Sequence, residues 1–205
     1  MNKRNAIKWI ATGAGWTMAA SAVGLGLTAC SENKPSFNAV DLTGADYAKD
    51  FNLTDADGKE RTLADFKGKV VVLFFGYAQC PDVCPTTMTE MAQVKQQLGK
   101  DGDKLQVVFI TVDPARDTPA VMKAYMGAFD PGFVALIPTP EQLAAITKDF
   151  KAYYKKVEGK TPTSYSMDHS AASYVYDTQG RLRLYARYGA GVAPMVSDIQ
   201  ALLKS

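Results

Sequence analysis

Val70-Val71-Val72-Leu73-Phe74-Phe75, followed at once by Gly76-Tyr77-Ala78-Gln79-Cys80-Pro81-Asp82-Val83-Cys84-Pro85, carries most of the fold information in this chain. An unbroken run of β-branched and aromatic residues, launched by Lys67-Gly68-Lys69, reads as a strand buried on both faces. Apolar spacing turns helical from Thr86, with Met88, Met91, Val94 and Leu98 on one side. Leu105 to Val112 repeats the buried-strand pattern and stops at Asp113-Pro114. Strand, helix and strand in that order make a βαβ unit. The ten residues from Gly76 to Pro85 are then the loop at the carboxyl end of its first strand, where open α/β sheets gather their chemistry.

On the amino side, Asp55-Ala56-Asp57-Gly58 is turn chemistry between two short apolar stretches and predicts a hairpin. On the carboxyl side, Thr118-Pro119 opens a helix with Val121, Met122, Tyr125, Met126 and Phe129 on one face. Thr139-Pro140-Glu141-Gln142 starts another, striped by Leu143, Ile146 and Phe150. Tyr174-Val175-Tyr176 and the alternating stretch Arg181 to Tyr188 flank Asp177-Thr178-Gln179-Gly180, an antiparallel hairpin with one wet face. Met195, Ile199 and Leu202 pattern a closing helix. The expected fold class is α/β and thioredoxin-like: βαβ plus ββα, with an N-terminal hairpin and inserted helices.

The chain has 205 residues, 47% hydrophobic and 21% charged, which excludes disordered and fibrous architectures. Its formal charge of +2 owes much to Lys3, Arg4 and Lys8; without them the remainder is near −1, so no basic face offers itself to nucleic acid. Those cations precede an uncharged stretch from Trp9 to Ala29, the layout of a secretory signal. The stretch is also about long enough to span a bilayer by the ~20-residue criterion. Leu27-Thr28-Ala29-Cys30 resembles the bacterial lipoprotein box, in which the cysteine is lipidated and becomes the mature N-terminus. The expected organisation is a signal peptide over 1–29, a flexible lipid-anchored tether over 30–45 and a thioredoxin-like domain over 46–205. Either a lipid or an uncleaved anchor holds the domain to a membrane outside the cytoplasm, facing the periplasm of a bacterial envelope.

With Cys30 lipidated, the thiols left are Cys80 and Cys84, separated by three residues, each preceding a proline. The prolines bias both cysteines away from helical angles, so the pair is expected on a stiff loop, with the helix beginning at or just after Pro85. Three readings stay open: a small structural disulfide, thioredoxin-like exchange, and metal ligation. Redox enzymes of the fold use two intervening residues rather than three. His169, the one histidine in the chain, lies in Tyr165-Ser166-Met167-Asp168-His169-Ser170, a loop that this topology brings toward the dithiol. Two thiolates and an imidazole suit copper(I), which accepts soft ligands in low number. Zinc wants a fourth ligand, and copper(II) would seek further coordination from water, a backbone oxygen, Asp82 or Asp168. Both aspartates also read as ordinary turn or capping residues.

Three blocks together, Gly76 to Pro85, Val112-Asp113-Pro114-Ala115-Arg116-Asp117-Thr118, and Met167-Asp168-His169-Ser170, resemble the Sco/SenC family of copper chaperones over roughly residues 47–204. The resemblance implies a thioredoxin-like fold binding one copper through Cys80, Cys84 and His169. It implies a part in building the dinuclear copper centre of cytochrome c oxidase subunit II, by delivering copper, by reducing the target's cysteines, or both. The implied partners are that subunit, or a related copper protein, and a copper donor or thiol reductant. Such a protein is a carrier rather than an enzyme, with dithiol exchange at Cys80 and Cys84 as the alternative activity. A peroxide reductase of the same fold would need one activated cysteine in a polar pocket, and the paired cysteines suit it poorly. Arg116 reads as a loop brace, and Asp117-Thr118 as a helix cap. Arg181, Arg183 and Arg187, like Tyr153-Tyr154-Lys155-Lys156, read as solvated faces.

Overall fold

The computed structural model describes residues 36–161 and 164–205. The expected signal peptide, the lipid-bearing Cys30 and the first part of the tether lie outside the described residues. The buried run is β4 (Val70–Gly76), with every residue shielded, and the second is β5 (Leu105–Thr111), equally buried. They pair in parallel, Val70 opposite Leu105 through Gly76 opposite Thr111. The helix between them is α1 (Val83–Gln97).

Around this unit the sheet grows to six strands. Ahead of β4 come β1 (Val40–Asp41) and the small antiparallel hairpin β2 (Leu53–Thr54) and β3 (Glu60–Arg61). After β5 come α2 (Pro119–Gly127), β6 (Val134–Leu136) and α3 (Pro140–Asp149). The chain then forms β7 (Tyr154–Val157), β8 (Ser166–His169), β9 (Ser173–Tyr176), β10 (Leu182–Ala186) and α4 (Val192–Leu202). The main sheet runs β1-β10-β9-β4-β5-β6, with β6 parallel to β5 and the pairs on the other side antiparallel. Hence βαβ and ββα halves meet at β4 and β9, as a thioredoxin-like fold requires. The interior is filled by Phe74, Phe75, Phe109, Phe150, Tyr176, Met88 and Ile199, all essentially inaccessible. Burying one such side chain contributes about 1.5–3 kcal/mol.

Several expectations are corrected. The tether does not extend to residue 45, because β1 pairs with β10, Val40 opposite Tyr185. Just before it, the buried carboxylate of Asp198 accepts hydrogen bonds from the amides of Asn38 (2.8 Å) and Ala39 (2.9 Å) and from Asn38 Nδ2 (2.9 Å). A two-residue edge strand has too little alternation to be read from sequence. β6 and the β7–β8 hairpin were also hidden: β6 is three residues long, and β7 is lysine-rich and exposed. Val121 is 41% exposed, leaving Met122 and Met126 as the buried side of α2. Arg183 is not on a solvated face, since its guanidinium reaches the buried Asp177 at 3.2 Å and Thr43 Oγ1 at 2.9 Å. Of the expected Asp117-Thr118 cap, Thr118 alone serves, its hydroxyl accepting from the Val121 amide.

Candidate metal centre

The dithiol begins where β4 ends. Gly76 closes the strand, and Val112 donates its amide to the Gly76 carbonyl at 2.8 Å. A Cβ built on Gly76 would stand 2.8 Å from Cys84 Sγ and 2.7 Å from a Phe109 ring carbon, so a side chain there displaces the thiol. Helix α1 starts at Val83, two residues earlier than the prolines suggested, and holds both Cys84 and Pro85 in its first turn. The amides there have no intrahelical acceptor, so a proline loses nothing, and packing of the buried Cys84 overrides the bias of a pre-proline residue. One of these amides is used: Cys84 N–H donates to Cys80 Sγ at 3.4 Å.

His169 arrives from outside the main sheet, as the last residue of β8, opposite Tyr154. Its ring is gripped edge-on by Phe74 and Tyr77, with centroids 5.8 and 5.9 Å away. The Ser170 carbonyl lies 3.0 Å from Nδ1 and can only accept, so Nδ1 carries the hydrogen. Nε2 is then the ring nitrogen that faces the thiols, 3.3 Å from Cys84 Sγ. Among the described residues, Cys80, Cys84 and His169 bring their donor atoms within 4.8 Å of one another. Asp82 and Asp168 do not join that group. Asp82 occupies the N-cap position of α1, and Asp168 is exposed on β8 opposite Lys155.

The two thiols differ in character. A hydrogen bond from Cys84, with further help from His169 and the Asp82 and Cys84 amides, brings Cys80 down to about 3. The same pairing and burial push Cys84 far above the ordinary thiol range. At neutral pH the partly exposed sulfur is thus a thiolate and the buried one holds the proton. A cleft of about 330 Å³ opens beside them, lined by Cys80, Pro81, Val83, Tyr153, Met167 and His169 among others. Two sulfurs and one imidazole nitrogen, converging with an open side, form a donor set that fits a soft monovalent cation.

A ring of residues that spacing alone did not pick out supports these three. Tyr165 donates its hydroxyl to Asp113 Oδ1 at 2.8 Å, and Asp113 also holds the Arg116 guanidinium. Asp117 is wholly buried; it accepts from the Ala78 amide at 3.1 Å and the Thr111 hydroxyl at 2.5 Å. Burial raises its pKa, opposed by those hydrogen bonds. The signal that points to Asp113, Arg116 and Asp117 is the polar Asp-Pro-Ala-Arg-Asp-Thr run that ends the buried stretch Leu105 to Val112.

The SCO1/SenC family model matches residues 40–204. The chain belongs to the SCO1/SenC family. Copper-bound ScoI of Bradyrhizobium japonicum is 42% identical, with a TM-score of 0.66 over 76% of this chain and 96% of that one. Apo Sco1 of Thermus thermophilus, known from solution structures, is 36% identical, with a TM-score of 0.72 over 82% and 97%. A SCO2-like protein of Rickettsia felis is 37% identical across 64% of this chain, a match that spans 65% of the relative's own length. The SCO1/SenC assignment and the thioredoxin-like fold expected from the sequence therefore agree.

Proposed function

We propose that this protein is a membrane-tethered copper metallochaperone that binds one copper(I) through Cys80, Cys84 and His169. Its cargo is destined for the dinuclear copper site of cytochrome c oxidase, through subunit II or a related copper protein. The observation that carries this reading is the convergence of two sulfurs and the His169 imidazole within 4.8 Å beside an open cleft. Copper held by the Bradyrhizobium relative supports it. Three protein ligands leave copper(I) open to attack by the thiolates of an acceptor, so transfer runs by ligand exchange and the ion is never free. Copper(II) in the same site would need added coordination from solvent. Lipidation of Cys30, after removal of residues 1–29, would keep the domain at the periplasmic side of a bacterial membrane. Among the described residues no helix is long and apolar enough to cross one.

The thiolate character of Cys80 favours a second reading, reduction of a target's cysteine pair. Cys80 would attack the target disulfide, forming a mixed disulfide and releasing one target thiolate. Cys84, on losing its proton, would then attack Cys80 Sγ, closing the intramolecular disulfide and releasing the second thiolate. Two electrons pass to the target, and a thiol reductant must reset the pair. Anaerobic copper(I) titration of the full chain and of His169→Ala, with thiols counted in each, separates the two. One copper per chain, bound much more weakly by the variant, supports the chaperone. Equally weak binding by both, with intact dithiol cycling, would hand the protein to the reductases.

A further inference from the structure

His169 is the one proposed ligand that the main sheet does not carry. Strand β8 pairs with β7 alone, in a two-stranded sheet separate from the six-stranded one. Cys80 and Cys84, in contrast, sit at the junction of β4 and α1. Something must hold the histidine's strand against the dithiol, and Arg116 stands between them. Its Nη1 donates to Gln79 Oε1 at 3.1 Å, on the residue next to Cys80. The same nitrogen donates to the Tyr165 carbonyl at 2.9 Å, on the residue before β8. Its Nε is engaged by Asp113, whose other oxygen accepts the Tyr165 hydroxyl. The guanidinium carbon stacks 3.6 Å over the Tyr165 ring and 5.8 Å from the centre of the Tyr77 ring, which itself grips His169. The arginine side chain is 15% exposed, so these contacts face little competition from water.

We propose that Arg116 is a positioning residue that sets the approach of His169 to the two thiols, by clasping the β8 strand at Tyr165 and the dithiol loop at Gln79. The metal-affinity consequence rests on the copper-binding reading above, whereas the clasp itself does not. Planarity is essential to it. One flat group must stack on Tyr165 while aiming hydrogen bonds at three segments, and a lysine ammonium cannot do both. Loss of a partner that orients a ligand lowers metal affinity by roughly tenfold to a hundredfold.

The test is a double-mutant cycle on the full chain with Arg116→Lys and His169→Ala, read by copper(I) competition against a chelator. Because the chain has one histidine, the imidazole proton resonance of His169 in the metal-free protein supplies a second readout. Arg116→Lys is expected to weaken copper(I) binding roughly tenfold to a hundredfold. It should also move the His169 resonance toward that of free histidine, leave the Cys80–Cys84 disulfide able to form, and cause no further loss when His169 is already alanine. An unmoved resonance, or a loss of affinity that persists in full in the His169→Ala background, would overturn the proposal. If Arg116→Lys does not fold, Tyr165→Phe and Gln79→Ala, each removing a single contact of the clasp, go through the same cycle under the same criteria. A wild-type chain that binds no copper defeats the copper reading, and the metal-free resonance still decides the clasp.

Discussion

Cys80 and Cys84 are four positions apart, yet their surroundings drive them in opposite directions. The cause is one proton shared between a half-exposed and a buried sulfur. Cys80, brought down to about 3, keeps its negative charge across the range where an ordinary thiol is protonated. Alkylation of the reduced, metal-free chain should therefore run at Cys80 with nearly the same rate from pH 7 to pH 5, since rate follows thiolate fraction. A free thiol would lose about a hundredfold over that interval, and mass spectrometry after a timed pulse distinguishes the two. The sign for stability follows. Cys80's contribution is fully present above the unfolded pKa of about 8.5 and declines as pH falls toward 3. The cysteines and His169 were legible as chemistry because few residue types bind soft metals. Gly76 was not: its role depends on Cys84 Sγ lying within 2.8 Å of a missing Cβ, which no local pattern encodes.

Strands β4 and β5 could be read from sequence because burial on both faces leaves an unbroken apolar run in β4 and a mostly apolar one in β5, broken by Gln106. The capping box of α3 was equally plain: Thr139 Oγ1 accepts from the Gln142 amide at 3.2 Å, and Gln142 Oε1 accepts from the Thr139 amide at 2.9 Å. Short elements fixed by tertiary contacts left no such trace. β1 exists because β10 offers it an edge and because α4 supplies Asp198, whose carboxylate takes three donors from residues 38 and 39. Removing it strands those donors at a partly buried site, a cost of about 1–3 kcal/mol. Asp198→Ala should lower the denaturation midpoint accordingly while copper(I) affinity stays at the wild-type value. The boundary at residue 46 failed for the same reason: polar, small residues read as tether until a distant helix is known to bind them.

For the molecule as a whole, the thioredoxin-like plan was visible because βαβ and ββα each follow from local periodicity, and their joining at one sheet from the rules of connection. The separate β7–β8 sheet was invisible because a four-residue strand of Ser-Met-Asp-His has one apolar side chain and no β-branched residue. That division into a six-stranded body and a two-stranded appendage implies two clocks within one domain. Amides of β4, β5 and β9 can trade their hydrogens for deuterium only when the core comes apart. Those of β7 and β8 are released whenever the small sheet lifts, an opening that leaves the body folded. Native-state hydrogen exchange should accordingly resolve a slow class from the body and a faster class from residues 154–157 and 166–169. A single uniform rate across both sheets would mean that the appendage and the body open as one.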